Sequence, residues 1–237
     1  MKKKIVITGG SGRFGTHLKQ LKSKSILYFP NKKELNILNL KNINKYLKKI
    51  KPDILIHLAG LSRPMIEHNV NIKRSIDLNI IGTANITKVC SDLKIKLVYF
   101  STNYVYPGVK GNYNEKDPVL PVNNYAWSKL GGEASVQLYK NSLILRVSMT
   151  EKPFIHDKAF GNVKTSFMFH DDVSKILFKV IKKKGIINIG GKSQFIYDFV
   201  KKSKPNIKKI YLNKDLKNIM PKDSSINISK LKKILKK

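Results

Sequence analysis

Directly behind a short apolar run near the start of the chain (Lys4–Thr8) stand Gly9, Gly12 and Gly15, in the stretch TGGSGRFG, and a helical pattern follows. No other feature restricts the fold as much. Three glycines at this spacing have three separate uses: a tight turn, close approach of backbone to a pyrophosphate, and close packing of helix on strand. The start of the following helix adds oriented N–H groups and a partial positive charge for phosphates. The expectation is an α/β chain with a Rossmann-type doubly wound parallel sheet. Gly9, Ser11, Gly12, Arg13, Phe14 and Gly15 would form the dinucleotide loop.

The following residues keep that rhythm, with short apolar strands alternating with amphipathic helices. Strands are expected at 25–29, 53–58, 96–101 and Ser142–Val147, and helices at 14–22, Leu40–Ile50, 76–93 and 124–139. Beyond Arg146 the pattern loosens, and residues 154–169 show no clear period. Helices are then expected at 170–181, 197–203 and 228–235, with short strands at 186–189 and 209–212. Residues 1–145 read as a nucleotide-binding core. Residues 146–237 read mostly as a small C-terminal substrate-binding cap, with elements returning to the core.

The end of the second strand bears on cofactor choice. NAD enzymes place an acid there for the ribose 2′-hydroxyl. This chain has Phe29, Pro30, Asn31, Lys32 and Lys33, with no acid before Glu34. A carboxylate would repel a 2′-phosphate and a lysine would pair with it. NADPH is therefore favoured, with NADH use left open; Asn31, Lys32 and Arg13 are the residues nearest that choice.

The fourth strand delivers Ser101 and Thr102 at its carboxyl end, where open α/β sheets bind ligands. Farther on, Tyr125 and Lys129 lie four residues apart in YAWSK, on one face of a helix. A phenol near pKa 10 is a poor acid–base catalyst at neutral pH, and a neighbouring ammonium stabilises its phenolate. A hydroxyl of Thr102 or Ser101 could hold a substrate carbonyl beside it. Tyr125 would then protonate the carbonyl oxygen while the nicotinamide delivers hydride to the carbon.

These motifs resemble the extended short-chain dehydrogenases, and within them the dTDP-4-dehydrorhamnose reductases. The resemblance is carried by TGGSGRFG, by ELNILNL at residues 34–40, and by KPDILIHLAG at residues 51–60. It continues through Asn79 in LNIIGTANI, STNYVYPG at residues 101–108 and YAWSKLGGE at residues 125–133. It implies Thr102, Tyr125 and Lys129 as the catalytic set. It also implies Asn36, Ile37, Leu58, Ala59, Gly60 and Phe100 along the cofactor, joined by Tyr125 and Lys129. Ser101, Asn103, Tyr104 and Met149 would lie near the sugar. Where the reductases carry Arg-Thr-Ser-Trp this chain reads Arg146, Val147, Ser148, Met149, and Met220 stands where they have arginine, so the sugar stays open. The implied activity is NADPH-dependent reduction of a nucleotide-linked 4-keto-6-deoxy sugar. Two alternatives use the same fold: an epimerase or dehydratase, and a catalytically silent regulatory subunit.

A formal net charge of +32 invites a nucleic-acid reading. The lysines are spread along nearly the whole chain together with abundant Asn and Ile, as A/T-rich coding produces, so no nucleic-acid partner is expected. The surplus would still steer an anionic nucleotide substrate inward. Ile5–Ile7 is too short for an export signal, and no run of eighteen apolar residues could span a membrane. The single cysteine, Cys90, fits a reducing compartment, and the cytoplasm is the expected location. His57 is expected to be a satisfied packing residue. His156, Asp157, His170, Asp171 and Asp172 lack zinc-ligand spacing, so no metal is expected. A homodimer is left open.

Overall fold

The computed structural model describes residues 2–213 and 220–236. The first half of the chain runs β1 (Lys4–Thr8), α1 (Arg13–Lys19), β2 (Ile26–Tyr28), α2 (Leu40–Ile50), β3 (Ile54–His57), α3 (Glu67–Val70), α4 (Ile72–Ile76), a π-helical turn (Asp77–Ile81), α5 (Gly82–Asp92) and β4 (Lys96–Thr102). Next come a 3₁₀ turn (Asn103–Val105), α6 (Asn124–Gln137), β5 (Ser142–Val147), β6 (Met149–Thr150), β7 (Lys158–Phe160), β8 (Lys164–Thr165) and β9 (Met168–Phe169). The chain continues through α7 (His170–Val180), β10 (Gly185–Ile189), β11 (Gln194–Phe195), α8 (Ile196–Lys201), β12 (Lys208–Ile210) and α9 (Ser229–Leu235).

The principal sheet has six strands in the order β10-β5-β4-β3-β1-β2. β1 lies between β2 and β3, parallel to both, with Val6 opposite Tyr28 on one side and Leu55 on the other. β3 pairs in parallel with β4, Ile54 opposite Lys96. Ile5, Val6, Ile7, Leu55, Ile56, Leu97 and Val98 are all essentially inaccessible, as expected of strands covered on both faces. From β1 the chain winds first to one side and then returns to the other, so right-handed crossovers place helices on both faces. The reversal falls between β1 and β3, which makes the space beyond their carboxyl ends the topological switch point.

The chain divides into two compact units, neither of them continuous. The first takes the chain through Ser101, with residues 128–144 and 181–185; the second takes 102–127, 145–180 and 186–237.

In the first unit, α2 begins where the Asn39 side chain accepts from the Asn42 N–H and ends at Lys51, in left-handed geometry just before Pro52. Helix α1 stops at Lys19, short of the expected residue 22, because its exit tightens into i→i+3 bonds from Gln20 and Leu21. The helix expected over 76–93 instead starts at Ile72, capped by the Asn71 side chain, and is interrupted by the π turn. That turn inserts one extra residue and carries the buried Asn79.

In the second unit the stretch without a period proves to be a set of strands too short to show one. β7 pairs with β12, β8 with β11 and β6 with β9. Phe154, Ala159, Val163, Ile196, Val200 and Ile207 form the core beneath them. Arg146 is buried, its guanidinium 4.9 Å from the Tyr106 ring and donating to the Tyr106 hydroxyl at 2.9 Å.

Candidate active site

The glycine loop lies at the switch point, within the first unit. Gly9 has φ +73°, and a Cβ there would stand 2.6 Å from the Ala59 nitrogen and 2.7 Å from the Leu58 carbonyl carbon. The turns after β1 and β3 thus touch backbone to backbone, which only glycine permits. A Cβ on Gly15 would run into the Gly9 oxygen and lie 2.7 Å from Gly10 Cα. Gly12 precedes α1 with no side-chain cap, its N–H bonded to the Gly9 oxygen at 3.0 Å. Ser11 and Arg13 are exposed, while Phe14 is buried, its ring centroid 5.2 Å from that of Phe100.

Behind β2, the Asn31 side-chain oxygen accepts from the N–H groups of Lys33 (2.8 Å) and Glu34 (3.1 Å). The Glu34 carboxylate turns back to accept from the Asn31 N–H at 2.8 Å, so the first acid of this segment is committed to its own loop. Lys32 and Lys33 face solvent. The Asn36 side chain closes a turn onto the Leu38 N–H, and the carbonyl of buried Ile37 accepts from Asn85.

At the end of β3, His57 is buried between two threonines, with Nδ1 2.8 Å from Thr8 Oγ1 and Nε2 3.2 Å from Thr83 Oγ1. Thr83 Oγ1 already donates to the Asn79 carbonyl, so it accepts from His57, which assigns the ring proton to Nε2. Burial, with Lys129 nearby, holds this imidazole down to about 3. His57 is a satisfied core residue, as its place in a buried strand suggests.

Asn79 clasps the next turn. Its oxygen accepts from the Leu61 N–H at 2.7 Å, and its amide donates to the Leu61 carbonyl at 2.9 Å and to Ser128 Oγ at 2.8 Å. Gly60 stays small because a Cβ would lie 2.7 Å from the Asn79 oxygen. Asn79→Ala orphans both Leu61 backbone groups and is expected to cost about 2–6 kcal/mol, at about 1–3 kcal/mol for each buried unsatisfied group. Urea unfolding at constant slope checks it.

Ser128 and Lys129 follow on α6. The Lys129 Nζ lies 4.3 Å from the centre of the Tyr99 ring, and the Tyr99 hydroxyl donates to the Lys129 carbonyl at 3.0 Å. Desolvation pulls the lysine down to about 7, with the carboxylate of Glu133 working in the opposite direction. Glu133 is buried and accepts from Ser101 Oγ at 2.6 Å. Tyr99 does not stand out in the sequence; Glu133 is marked there only as the last residue of YAWSKLGGE, four beyond Lys129, with no role attached.

The remaining candidates belong to the second unit. Thr102 is buried and its Oγ1 accepts from the Tyr104 N–H at 3.2 Å, which leaves the hydroxyl proton for another acceptor. Tyr125 is partly buried in the first turn of α6, one turn before Lys129 on the same helix. Asn103 is buried, its amide donating to the Ser224 carbonyl at 2.8 Å. Tyr104 and Met149 are partly buried, Met149 pairing with Met168 between β6 and β9. Among the described residues no group of three or more His, Cys, Asp or Glu could hold a metal, and no helix is long and apolar enough to cross a membrane.

A doubly wound sheet, a glycine turn at its switch point and a Tyr-x-x-x-Lys helix together define the extended short-chain dehydrogenase/reductase class. Within it, the model of the RmlD substrate binding domain matches residues 2–155, and the chain belongs to that family. It is 32% identical over 185 residues to a dTDP-D-glucose 4,6-dehydratase of Dictyostelium discoideum, covering 62% of this chain and 42% of the relative. It is 30% identical over 155 residues to methionine adenosyltransferase 2 subunit beta of Xenopus laevis, covering 61% and 46%. The chain therefore spans less than half the length of these curated relatives. In fold it is similar to the crystal structure of dTDP-4-dehydrorhamnose reductase from Bacillus anthracis in complex with NADP, with a TM-score of 0.85 at 24% identity, over 98% of this chain and 91% of the other.

Proposed function

We propose that the chain is a cytoplasmic NADPH-dependent reductase of a nucleotide-linked 4-keto-6-deoxy sugar. The observation that carries this reading is Lys129, held against Tyr99 one helical turn after Tyr125. A lysine amine held over an aromatic ring one turn after a tyrosine, rather than out in water, supports a role in stabilising a phenolate.

The residues present fit a dinucleotide. The turns after β1 and β3 leave no room for a Cβ at Gly9 or Gly15, which keeps backbone rather than side chains at the switch point. Gly9, Ser11, Gly12, Arg13, Phe14 and Gly15 would hold the pyrophosphate side. Leu58, Ala59, Gly60 and Phe100 would line its course, with Asn36 and Ile37 toward the adenosine. Because Glu34 is turned onto its own loop and Lys32 is exposed, the segment after β2 suits a 2′-phosphate. Bound NADPH supplies the hydride. Thr102 donates its hydroxyl proton to the substrate carbonyl oxygen and aligns it. Tyr125 transfers its phenolic proton to that oxygen as the carbon is reduced, and the Lys129 ammonium stabilises the phenolate left behind. Solvent then reprotonates Tyr125, so that one proton and one hydride are consumed per alcohol formed. Tyr104, Asn103 and Met149 would lie on the sugar side.

NADPH absorbance loss with a panel of nucleotide-linked 4-keto-6-deoxy sugars tests the reading. We expect oxidation with one sugar and a preference for NADPH over NADH of about tenfold or more, which corresponds to about 1.4 kcal/mol. Similarity to methionine adenosyltransferase 2 subunit beta supports a second reading, a regulatory subunit that keeps the fold. Measurable cofactor binding without oxidation of any sugar would favour it.

A further inference from the structure

Ser101 and Thr102 both stand at the end of β4, but their hydroxyls differ. A serine hydroxyl has one proton to donate, and that of Ser101 goes to Glu133 Oε2 at 2.6 Å. It is therefore not available to a substrate carbonyl. Glu133 is 1% exposed, and a carboxylate so far from water is costly unless it faces a positive charge or strong donors. Lys129 sits one turn before it on α6, and side chains four apart on a helix lie on the same face. Tyr125, Lys129 and Glu133 thus form a ladder along α6.

We propose that Glu133 is a positioning residue, clamped by Ser101, whose negative charge keeps the proton on Lys129 and so keeps the phenolate-stabilising charge in place one helical turn after Tyr125. Ser101 thereby belongs to the support of the lysine rather than to substrate binding. The inference rests on the catalytic role given to Lys129 above. Tyr99, His57 and His68, also near the amine, bring no negative charge to it. The Tyr99 ring from β4 attracts the cation but carries no charge. His57 of β3 is kept neutral by burial and His68 of α3 is also lowered. Tyr125 itself, one turn earlier, is the phenol being tuned. Glu133 is thus the negative group opposing the desolvation of Lys129.

The test combines two readouts on wild type, Glu133→Gln and Ser101→Ala. Glutamine keeps the size of the side chain and an acceptor for Ser101 while removing the charge. In Glu133→Gln we expect the alkaline fall of kcat to move lower by about one on the pH scale, so that the loss is about tenfold at pH 8 and shrinks as pH falls. Ser101→Ala, which frees the carboxylate from its clamp, is expected to move it in the same direction by less. The second readout is reductive methylation of Lys129 followed by peptide mass spectrometry across the same pH range. It needs no substrate, so it tests the charge relation even if no sugar is reduced. Methylation of Glu133→Gln should rise at a pH lower by about one than in wild type. An unchanged methylation profile would overturn the proposal, as would a loss of kcat that is equal at every pH and accompanied by a lower melting temperature. A displaced methylation profile with no turnover in wild type would instead retain the proposal about Glu133 and remove the reductase reading.

Discussion

Tyr125→Phe should reduce kcat by about 10²–10⁴-fold, the range for removal of a positioned general acid, while NADPH binding stays within about twofold. The substitution removes one oxygen from a residue that is only partly buried, so the fold should be kept. The proton of the phenol is what the reduction consumes, and water cannot occupy the same place with the same alignment. Single-turnover NADPH oxidation beside a fluorescence titration of the cofactor separates the two quantities. Near-normal turnover would remove Tyr125 as the proton donor and leave Thr102 or solvent in that role.

Lys129→Met should lower activity by about 10²-fold or more through loss of the charge next to the phenol, and should also change how stability depends on pH. The folded lysine titrates at about 7 because of desolvation, whereas an unfolded lysine titrates near 10.4. Between those values the unfolded chain binds more protons, so stability rises with pH through that window. Below about pH 7 the full cost of the buried charge is present. The methionine variant lacks this titration, so the rise in stability from pH 7 toward pH 10 should be missing from it. In wild type that rise is about 1–3 kcal/mol, since each tenfold change in proton affinity is worth up to about 1.4 kcal/mol. The offset of the variant from wild type should therefore change across that range, on top of the constant cost of leaving Glu133 without its cation. Lys96, held down to about 8 mainly by burial, gives a slope of the same sign in both proteins and cancels in the comparison. Urea unfolding of both proteins at pH 6, 7, 8.5 and 10 measures the difference directly. A constant offset across that range would mean that Lys129 keeps its ordinary titration.

The sheet is legible in the sequence because its strands are buried on both faces and bounded by turns. Lys4–Thr8, Leu40–Ile50 and Ser142–Val147 match their expected bounds to the residue; Gly9 follows the first and Pro52 comes just after the second. The π turn is not legible, because one inserted residue alters the helical period by less than a mixed sequence can reveal. The strands of residues 149–169 are two or three residues long and show no alternation. At the site, the glycine loop and the Tyr125–Lys129 pair are marked by spacing, and Asn79 by the resemblance alone. What spacing cannot distinguish is the hydroxyl of Ser101 from that of Thr102. Neighbours in sequence, they differ in what each proton or lone pair meets, and that is decided by Glu133 and by the Tyr104 backbone.

The alternation of the chain between its two units bears on how the protein is made. The first unit lacks residues 128–144, with Lys129 and Glu133, until the intervening stretch 102–127 of the second has been synthesised, and it takes its last piece from 181–185. At about 5–20 residues per second on the ribosome, its apolar strands wait several seconds for their final neighbours. Neither unit can therefore be expressed by simple truncation of the gene. A nascent chain stalled near residue 120 would present β3 and β4 without the helix that carries the site, a state suited to chaperone capture rather than to independent folding.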